Sequence, residues 1–411
     1  MIEKKYPLWK DGCIAKEEKK SEKRAVGKLL FFLAFLLFCL KYLFDYSEIT
    51  PGRNAVLDPL LLVSFFVLLM MKILLQRYTP IRFAFIIIIG AILGYSCLIS
   101  VNYFVLISFM FIIAMQDIDI EKILKFCFAV NALNISVHVI VYIFTYLTNP
   151  AVIRFVRRRG DGAPRHYFFM GHANMFTAFL LWACLNFIFL NYKKLKTFHM
   201  AFIWLINIIF YAFTDTNTGI IVLAAVTVLI LADKKGRGLF DRPIKFLAKY
   251  TYAFCAVFFP FMATVYLHLG GALKELWHNF DNFLTGRIWF GVYAYYQHGP
   301  TFLGRPDMAP EKIFWNGRWF NTSTVFDNYY IGNFVSYGII NSIITALVLI
   351  IFCEKMENRE KIMITAFAFY GVMESHVTNV AICFALFIIG RYIYPQKKEP
   401  HGIPERLWNK L

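Results

Sequence analysis

Arg154-Phe-Val-Arg-Arg-Arg-Gly-Asp-Gly-Ala-Pro-Arg-His166 is a basic loop set between two long apolar segments, residues 123–147 and 170–191. The side of a membrane on which it falls decides how the whole chain threads. Lys and Arg are normally retained on the cytoplasmic side, so Arg154, Arg157, Arg158, Arg159 and Arg165 read at first as a retention signal. Counting spans outward from the loop in both directions places it on the opposite face. A single miscounted helix would return it to the cytoplasm. Positive charge translocated against the bias points to an anionic group that needs holding. Phosphate fits best, because the planar guanidinium fork meets it bidentately and stays charged at any working pH.

The two flanking segments belong to a series. Apolar runs recur from residue 29 almost to the end of the 411-residue chain, many close to the ~20 residues that cross a ~30 Å hydrocarbon core. Hydrophobic residues make up 59% of the chain and charged residues only 17%, which excludes a string of soluble domains. The fold class expected is an all-α polytopic membrane protein of about twelve transmembrane helices with a large extracytoplasmic loop. A net charge of +17 would suggest nucleic acid in a soluble protein. Here the charge lies mostly in short loops, where it sets orientation and meets anionic head groups of the lipid bilayer, so no nucleic-acid partner is expected. None of the eight cysteines forms a CxxC pair or lies in the two long outer loops, so neither disulfides nor a thiolate metal site is expected. The Lys-rich tail is not a cleavable signal peptide, and the first span should persist as an anchor.

The expected spans are 29–44, 56–74, 82–98, 101–116, 123–147, 170–191, 198–213, 218–232, 247–268, 329–353, 361–373 and 376–392. With the N-terminus inside, the inner segments (Lys72 to Arg82, Glu121 to Lys125, Lys193 to Lys196, Asp233 to Lys249, Glu354 to Lys361) are nearly all basic, as the charge bias requires. The chain divides into a cytoplasmic tail (1–28), N-terminal spans (29–147), the arginine loop (148–169), central spans (170–268), a large extracytoplasmic loop (269–328), C-terminal spans (329–392) and a second cytoplasmic tail (393–411). Loops as long as 269–328 usually carry function. This one is rich in Trp, Tyr and Phe, and stretches such as Leu284 to Tyr296 suit helices lying in the membrane interface.

Five polar stretches fall on the outer side. The arginine loop is the first. Arg165-His-Tyr-Phe-Phe-Met-Gly171-His172-Ala-Asn174 follows at the mouth of the sixth span, where Asn174 reads equally as a helix N-cap. Thr214-Asp-Thr-Asn-Thr-Gly219 is a tight turn that turn chemistry alone could explain. Thr285-Gly286-Arg287-Ile-Trp289-Phe-Gly291 and Phe302-Leu-Gly304-Arg305 lie in the large loop. Phe326-Asp327-Asn328-Tyr329-Tyr330 opens the tenth span, ahead of Gly338-Ile339. An Asp at the mouth of an apolar span is costly unless capped, paired or used. A Glu374-Ser-His376 turn adds a late acid and imidazole. HExxH, P-loop and GxSxG signatures are lacking, so zinc protease, ATPase and serine hydrolase readings have no support.

In order, spacing and side, these stretches resemble the O-antigen polymerase and ligase superfamily, membrane proteins that assemble bacterial surface polysaccharides. Arg165 through Gly171 and Asn174 looks like the family's Arg and Gly-x-x-x-Asn element. Gly286-Arg287-Ile-Trp289, Phe302-Leu-Gly304 and Asp327-Asn328 through Gly338-Ile339 follow in the family's order. The resemblance covers about residues 150–350. It departs at Asp327, where the ligases usually carry His, and at Thr216-Asn217, where the family's turn usually carries Arg after Ser. The first departure favours a polymerase.

The resemblance implies a GT-C-like membrane glycosyltransferase of the bacterial cytoplasmic membrane, both termini cytoplasmic and the active site outside. It would join oligosaccharide repeat units carried on undecaprenyl pyrophosphate. The chemistry needs charge stabilisation on the departing diphosphate and a general base for the acceptor hydroxyl. Arg154, Arg157, Arg158, Arg159 and Arg165 are the diphosphate candidates, joined by Arg287, which is placed with the catalytic set. Asp327 is the first candidate base, with His172 and His376 behind it. Asn174, Trp289, Arg305, Asn328 and Tyr329 are candidate substrate contacts. No cofactor is expected, and a flippase and a chain-length regulator are the partners such polymerases imply. A ligase with another acceptor and a flippase or exporter are the competing readings. A metal-dependent transferase would look to Asp45 and Glu48 for ligands.

Overall fold

The computed structural model describes residues 8–49, 56–100, 103–153, 155–157, 164–236, 238–284, 286–306, 311–315, 318–322 and 326–394; for 8–21, 156–157, 290, 311–315 and 318–322 it describes the backbone alone. A chain without water around it can satisfy its own amides only as helix or closed barrel, and helix is what these apolar segments form. In order they are α1 (Leu8–Tyr46), α2 (Leu57–Leu74), α3 (Pro80–Ser100), α4 (Phe104–Ile113) and α5 (Ile120–Thr148). A hairpin of β1 (Phe155–Arg157) and β2 (Pro164–His166) precedes α6 (Ala173–Leu190), α7 (Thr197–Thr214), α8 (Asn217–Lys235) and α9 (Asp241–Val265). The large loop folds into α10 (Gly271–Phe283), α11 (Arg287–His298) and a second hairpin, β3 (Glu311–Trp315) with β4 (Arg318–Thr322). The chain closes with α12 (Tyr329–Gly332), α13 (Ile339–Cys353), α14 (Asn358–Met373) and α15 (Ala385–Ile393).

Among the described residues, eight helices are long and apolar enough to cross a membrane: Glu22–Tyr46 of α1, then α2, α3, α5, α6, α7, α8 and Asp241–His268. The other four expected spans are not continuous long helices. Residues 101–116 yield only α4, ten residues or ~15 Å of rise. Residues 361–373 lie in α14, which has 16 residues, and 376–392 holds a 3-10 turn at Ser375–Thr378 followed by the nine-residue α15. Residues 329–353 are broken by a π-turn at Asn333–Tyr337. The reason is position. α4, α14 and α15 are buried along most of their length, so protein meets the backbone groups that a helix break frees.

Burial separates the bundle's centre from its perimeter. The apolar window of α6 is 83% buried, whereas those of α3 and α7 are 17% buried. Trp182 of α6 stands edge-on to Tyr370 of α14 and to Phe384, with centroids 5.5 Å away in both cases. Phe35 of α1 packs edge-on against Phe111 of α4 and Phe387 of α15.

The break in the tenth expected span is filled by the large loop. Thr301 N and Arg305 N donate to Phe334 O and Ser336 O, and Ile339 N and Ile340 N donate back to Thr301 O and Phe302 O. Gly338 makes the crossing possible, at φ +101°. Nor does α11 lie free in an interface: Ile288 and Val292 are buried, and a Cβ on Gly291 would stand 2.3 Å from Ile331 Cγ2 of α12.

The segments assigned to each side gather at a common end. At the expected inner end, Arg24 pairs with Asp117, Arg359 with Glu121, and Lys245 and Lys249 with Glu354. Asn358 bridges Asp233 and Asp241 there. The seven cysteines whose side chains are described are free thiols.

Candidate functional site

At the opposite end the polar stretches converge. The turn before α11 begins it. Asp281 receives the amides of Ile288 (2.8 Å) and Trp289 (3.2 Å), and Gly286 takes φ +78° to open the helix. This fixes Arg287 at the first helical position, 8% exposed. Its Nε donates to Met373 O (2.6 Å), one terminal nitrogen to Leu284 O (3.1 Å) and the other to Glu374 Oε1 (3.0 Å). Asp327 Oδ2 lies 4.0 Å from Arg287 Nε, with about half of its side chain exposed.

The second contributor is the start of α6. His172, not Asn174, is the N-cap: its Nδ1 accepts the Asn174 amide at 3.2 Å. The Asn174 side chain is therefore available for the site. It donates to Glu374 Oε1 at 3.1 Å and accepts from Arg165 at 2.9 Å. Gly171, at φ +67°, has its Cα hydrogen face within 3.2 Å of Tyr46 O by the position a Cβ would occupy, which brings the end of α1 alongside.

Arg165 extends from β2 to the turn between α7 and α8, where it donates to Thr214 O (2.8 Å) and Thr216 Oγ1 (2.8 Å). Thr218, next in the same turn, donates to Glu374 Oε1 at 3.0 Å. Asp215 closes α7 in the left-handed conformation, φ +45°. His376 completes the group, its ring edge-on to Tyr46 at 6.1 Å.

Glu374 is thus the centre, whereas in the sequence it reads only as one more acid in a turn. Asn174 and Thr218 are the second residues of α6 and α8, and Arg287 is the first of α11. Three helix N-termini, each bearing partial positive charge, meet one carboxylate oxygen. Burial, against the pull of Arg287 and with the Asp327 charge adding to the rise, pushes the Glu374 carboxyl up to about 7. His172 is held below its ordinary value by desolvation of its ring and then by the Arg165 charge. The signal was available: the argument that an acid at the mouth of an apolar span must be paired or used applies to Glu374 as it did to Asp327.

Other candidates are placed differently. Arg154, Arg158 and Arg159 lie outside the described residues, and Arg157 ends β1 opposite Pro164. Arg305 spends its guanidinium on the carbonyls of His298, Gly299 and Pro300, bracing the loop rather than joining the cluster. Asn328 caps α12, accepting from Tyr330 N and Ile331 N and donating to Val372 O. Tyr329 is fully buried beside Tyr252, so its ring belongs to the core and cannot meet a sugar. Trp289 is half-buried, 5.9 Å from the Tyr266 ring. Asp45 pairs with Lys41 instead of joining Glu48 as a ligand set, and no group of three His, Cys, Asp or Glu suited to a metal occurs among the described residues.

The arrangement can do two things chemically. Arginines and helix N-termini can hold an anion, and a buried carboxyl titrating near neutrality can accept a proton. No family model matches the chain, and neither does any curated protein or solved structure.

Proposed function

We propose that the protein is a polysaccharide polymerase of the O-antigen type, joining oligosaccharide units carried on undecaprenyl pyrophosphate. One observation carries the reading. Arg165, Asn174, Thr218, Arg287 and Glu374, drawn from sequence segments up to about 200 residues apart, form one hydrogen-bonded cluster at the end assigned to the outer face. Arg165 and Arg287 supply the fixed positive charge that a departing diphosphate needs. In this reading the short and broken helices complete twelve passages of the bacterial cytoplasmic membrane, in a GT-C-like architecture, with both termini inside. The described arginine of the β1–β2 hairpin that enters the cluster is Arg165; aromatic side chains of the large loop hold the sugars. A flippase and a chain-length regulator are the partners of such a polymerase.

The test is reconstitution of purified protein with lipid-diphosphate repeat units. A product ladder spaced by one repeat, indifferent to chelator and lost in Arg287→Ala, is expected. An unchanged lipid-linked unit that becomes transferable only when another acceptor is added would make the protein a ligase. Movement of the intact unit across the bilayer without cleavage would make it a transporter.

A further inference from the structure

We infer that Glu374, not Asp327, takes the proton from the acceptor hydroxyl; the inference rests on the polymerase reading above and assigns its base. The geometry separates the two acids. All three donors to Glu374 (Asn174 Nδ2, Thr218 Oγ1 and Arg287) converge on Oε1, and Oε2 accepts no hydrogen bond among the described residues. One oxygen is therefore pinned from three elements while the other keeps its lone pairs for a substrate. Asp327 is half exposed and bound only loosely, 4.0 Å from Arg287 Nε. A base held rigidly in a dry site loses little freedom when the acceptor arrives.

In the step proposed, the acceptor sugar O–H gives its proton to Glu374 Oε2 as its oxygen bonds to the anomeric carbon of the donor. The bond from that carbon to the phosphate oxygen breaks, and its electron pair leaves with the polyprenyl diphosphate. Arg165 and Arg287 balance the charge that accumulates there. The protonated Glu374 then releases its proton to water.

The groups facing this carboxylate set its proton affinity. Arg287 on α11 and the Thr218 hydroxyl on α8 lower it; burial and Asp327, just ahead of α12, raise it. Tyr370 on α14 also lies within electrostatic reach, Asn174 of α6 donates directly, and Arg165 stands one hydrogen bond further off. His172 and His376 respond to the same Asp327 charge. The result is a carboxyl near neutrality, the range in which a general base is most effective.

The experiment uses the full chain in lipid nanodiscs with lipid-diphosphate repeat units, comparing wild type, Glu374→Gln and Asp327→Asn across pH 5–9. Glu374→Gln is expected to lose ~10²–10⁴-fold in kcat with KM little changed, and to lose the acidic limb of the pH–rate profile. Asp327→Asn should keep that limb. An active Glu374→Gln with its limb intact, or a limb lost in Asp327→Asn alone, overturns the assignment while leaving the polymerase standing. A wild type that forms no glycosidic product removes the polymerase reading and this role together. If Glu374→Gln does not fold, Thr218→Val decides: losing that donor should move the wild-type limb upward by about half a unit or more, and an unmoved limb counts against Glu374.

Discussion

Gly338 and Gly304 meet backbone to backbone. A Cβ on Gly338 would stand 2.9 Å from the Gly304 nitrogen and 2.7 Å from the Leu303 carbonyl carbon, and the two glycines take φ of +101° and +113°. Alanine at position 338 would combine a disfavoured conformation, ~1–3 kcal/mol, with a clash against backbone that cannot swing away. Gly338→Ala should therefore lower the thermal midpoint in detergent by several degrees. Gly94→Ala, where an added Cβ meets nothing within 4 Å, should lower it little or raise it. Equal midpoints for the two variants would contradict the tight crossing.

Arg165 joins the hairpin to two helix starts through Thr214 O, Thr216 Oγ1 and Asn174 Oδ1. A lysine offers one nitrogen where the guanidinium offers a fork. Arg165→Lys is expected to destabilise the fold by ~1–3 kcal/mol through the acceptors it strands, and to abolish transfer. Denaturant unfolding and the ladder assay measure the two effects separately. A fully active Arg165→Lys would show that charge alone is needed there.

At the far end, Glu360 and Arg391 form a buried ion pair at 2.8 Å, their side chains 0% and 7% exposed. Removing Arg391 leaves the buried Glu360 carboxylate with no cation in this pair, only the Glu357 amide and the Tyr392 hydroxyl as donors, at a cost of up to ~3–5 kcal/mol. Arg391→Met should be strongly destabilised, and Glu360→Gln combined with Arg391→Met should recover much of the loss. Thermal midpoints of the two single variants and the double one form the cycle. A double variant destabilised by the full sum of the singles, or more, would mean the two residues are not favourably coupled.

The raised Glu374 carboxyl also ties stability to pH. Its folded value is about 7 against an ordinary 4.5, so between these the native state holds a proton that the unfolded chain has lost. Stability from this group is present below about pH 4.5 and is lost as pH rises towards 7. Glu374→Gln cannot lose that proton. The variant's midpoint relative to wild type should rise between pH 5 and pH 8, and a constant difference would place the carboxyl's titration elsewhere.

The long helices were legible because 18 or more apolar residues have few alternatives in hydrocarbon. The broken ones were not. Residues 329–353 read as one span because nothing local reveals that Thr301–Arg305 will supply the partners for Phe334–Ile340. The cluster was half legible: Arg165, Asn174, Arg287 and Asp327 stood out by type and side. Glu374 is legible only as an acid at a span mouth; its place at the centre comes from donors at positions 174, 218 and 287, and no spacing along the chain encodes that meeting. Asn328 and Tyr329 read as substrate contacts from the Phe326–Tyr330 stretch and its Asp-Asn pair, whereas helix geometry turns the first into a cap and the second into the core.

The patch across the broken helix also has an order in time. Thr301–Arg305 is synthesised before Phe334–Ile340, so the chain already carries the partner segment when the interrupted one emerges. The carbonyls of Phe334 and Ser336 in the π-turn and the amides of Ile339 and Ile340 at the start of α13 then find partners already made, and the interruption need not form with open backbone groups. Shortening the connection between the two segments would disturb assembly of the protein before it disturbed any finished site.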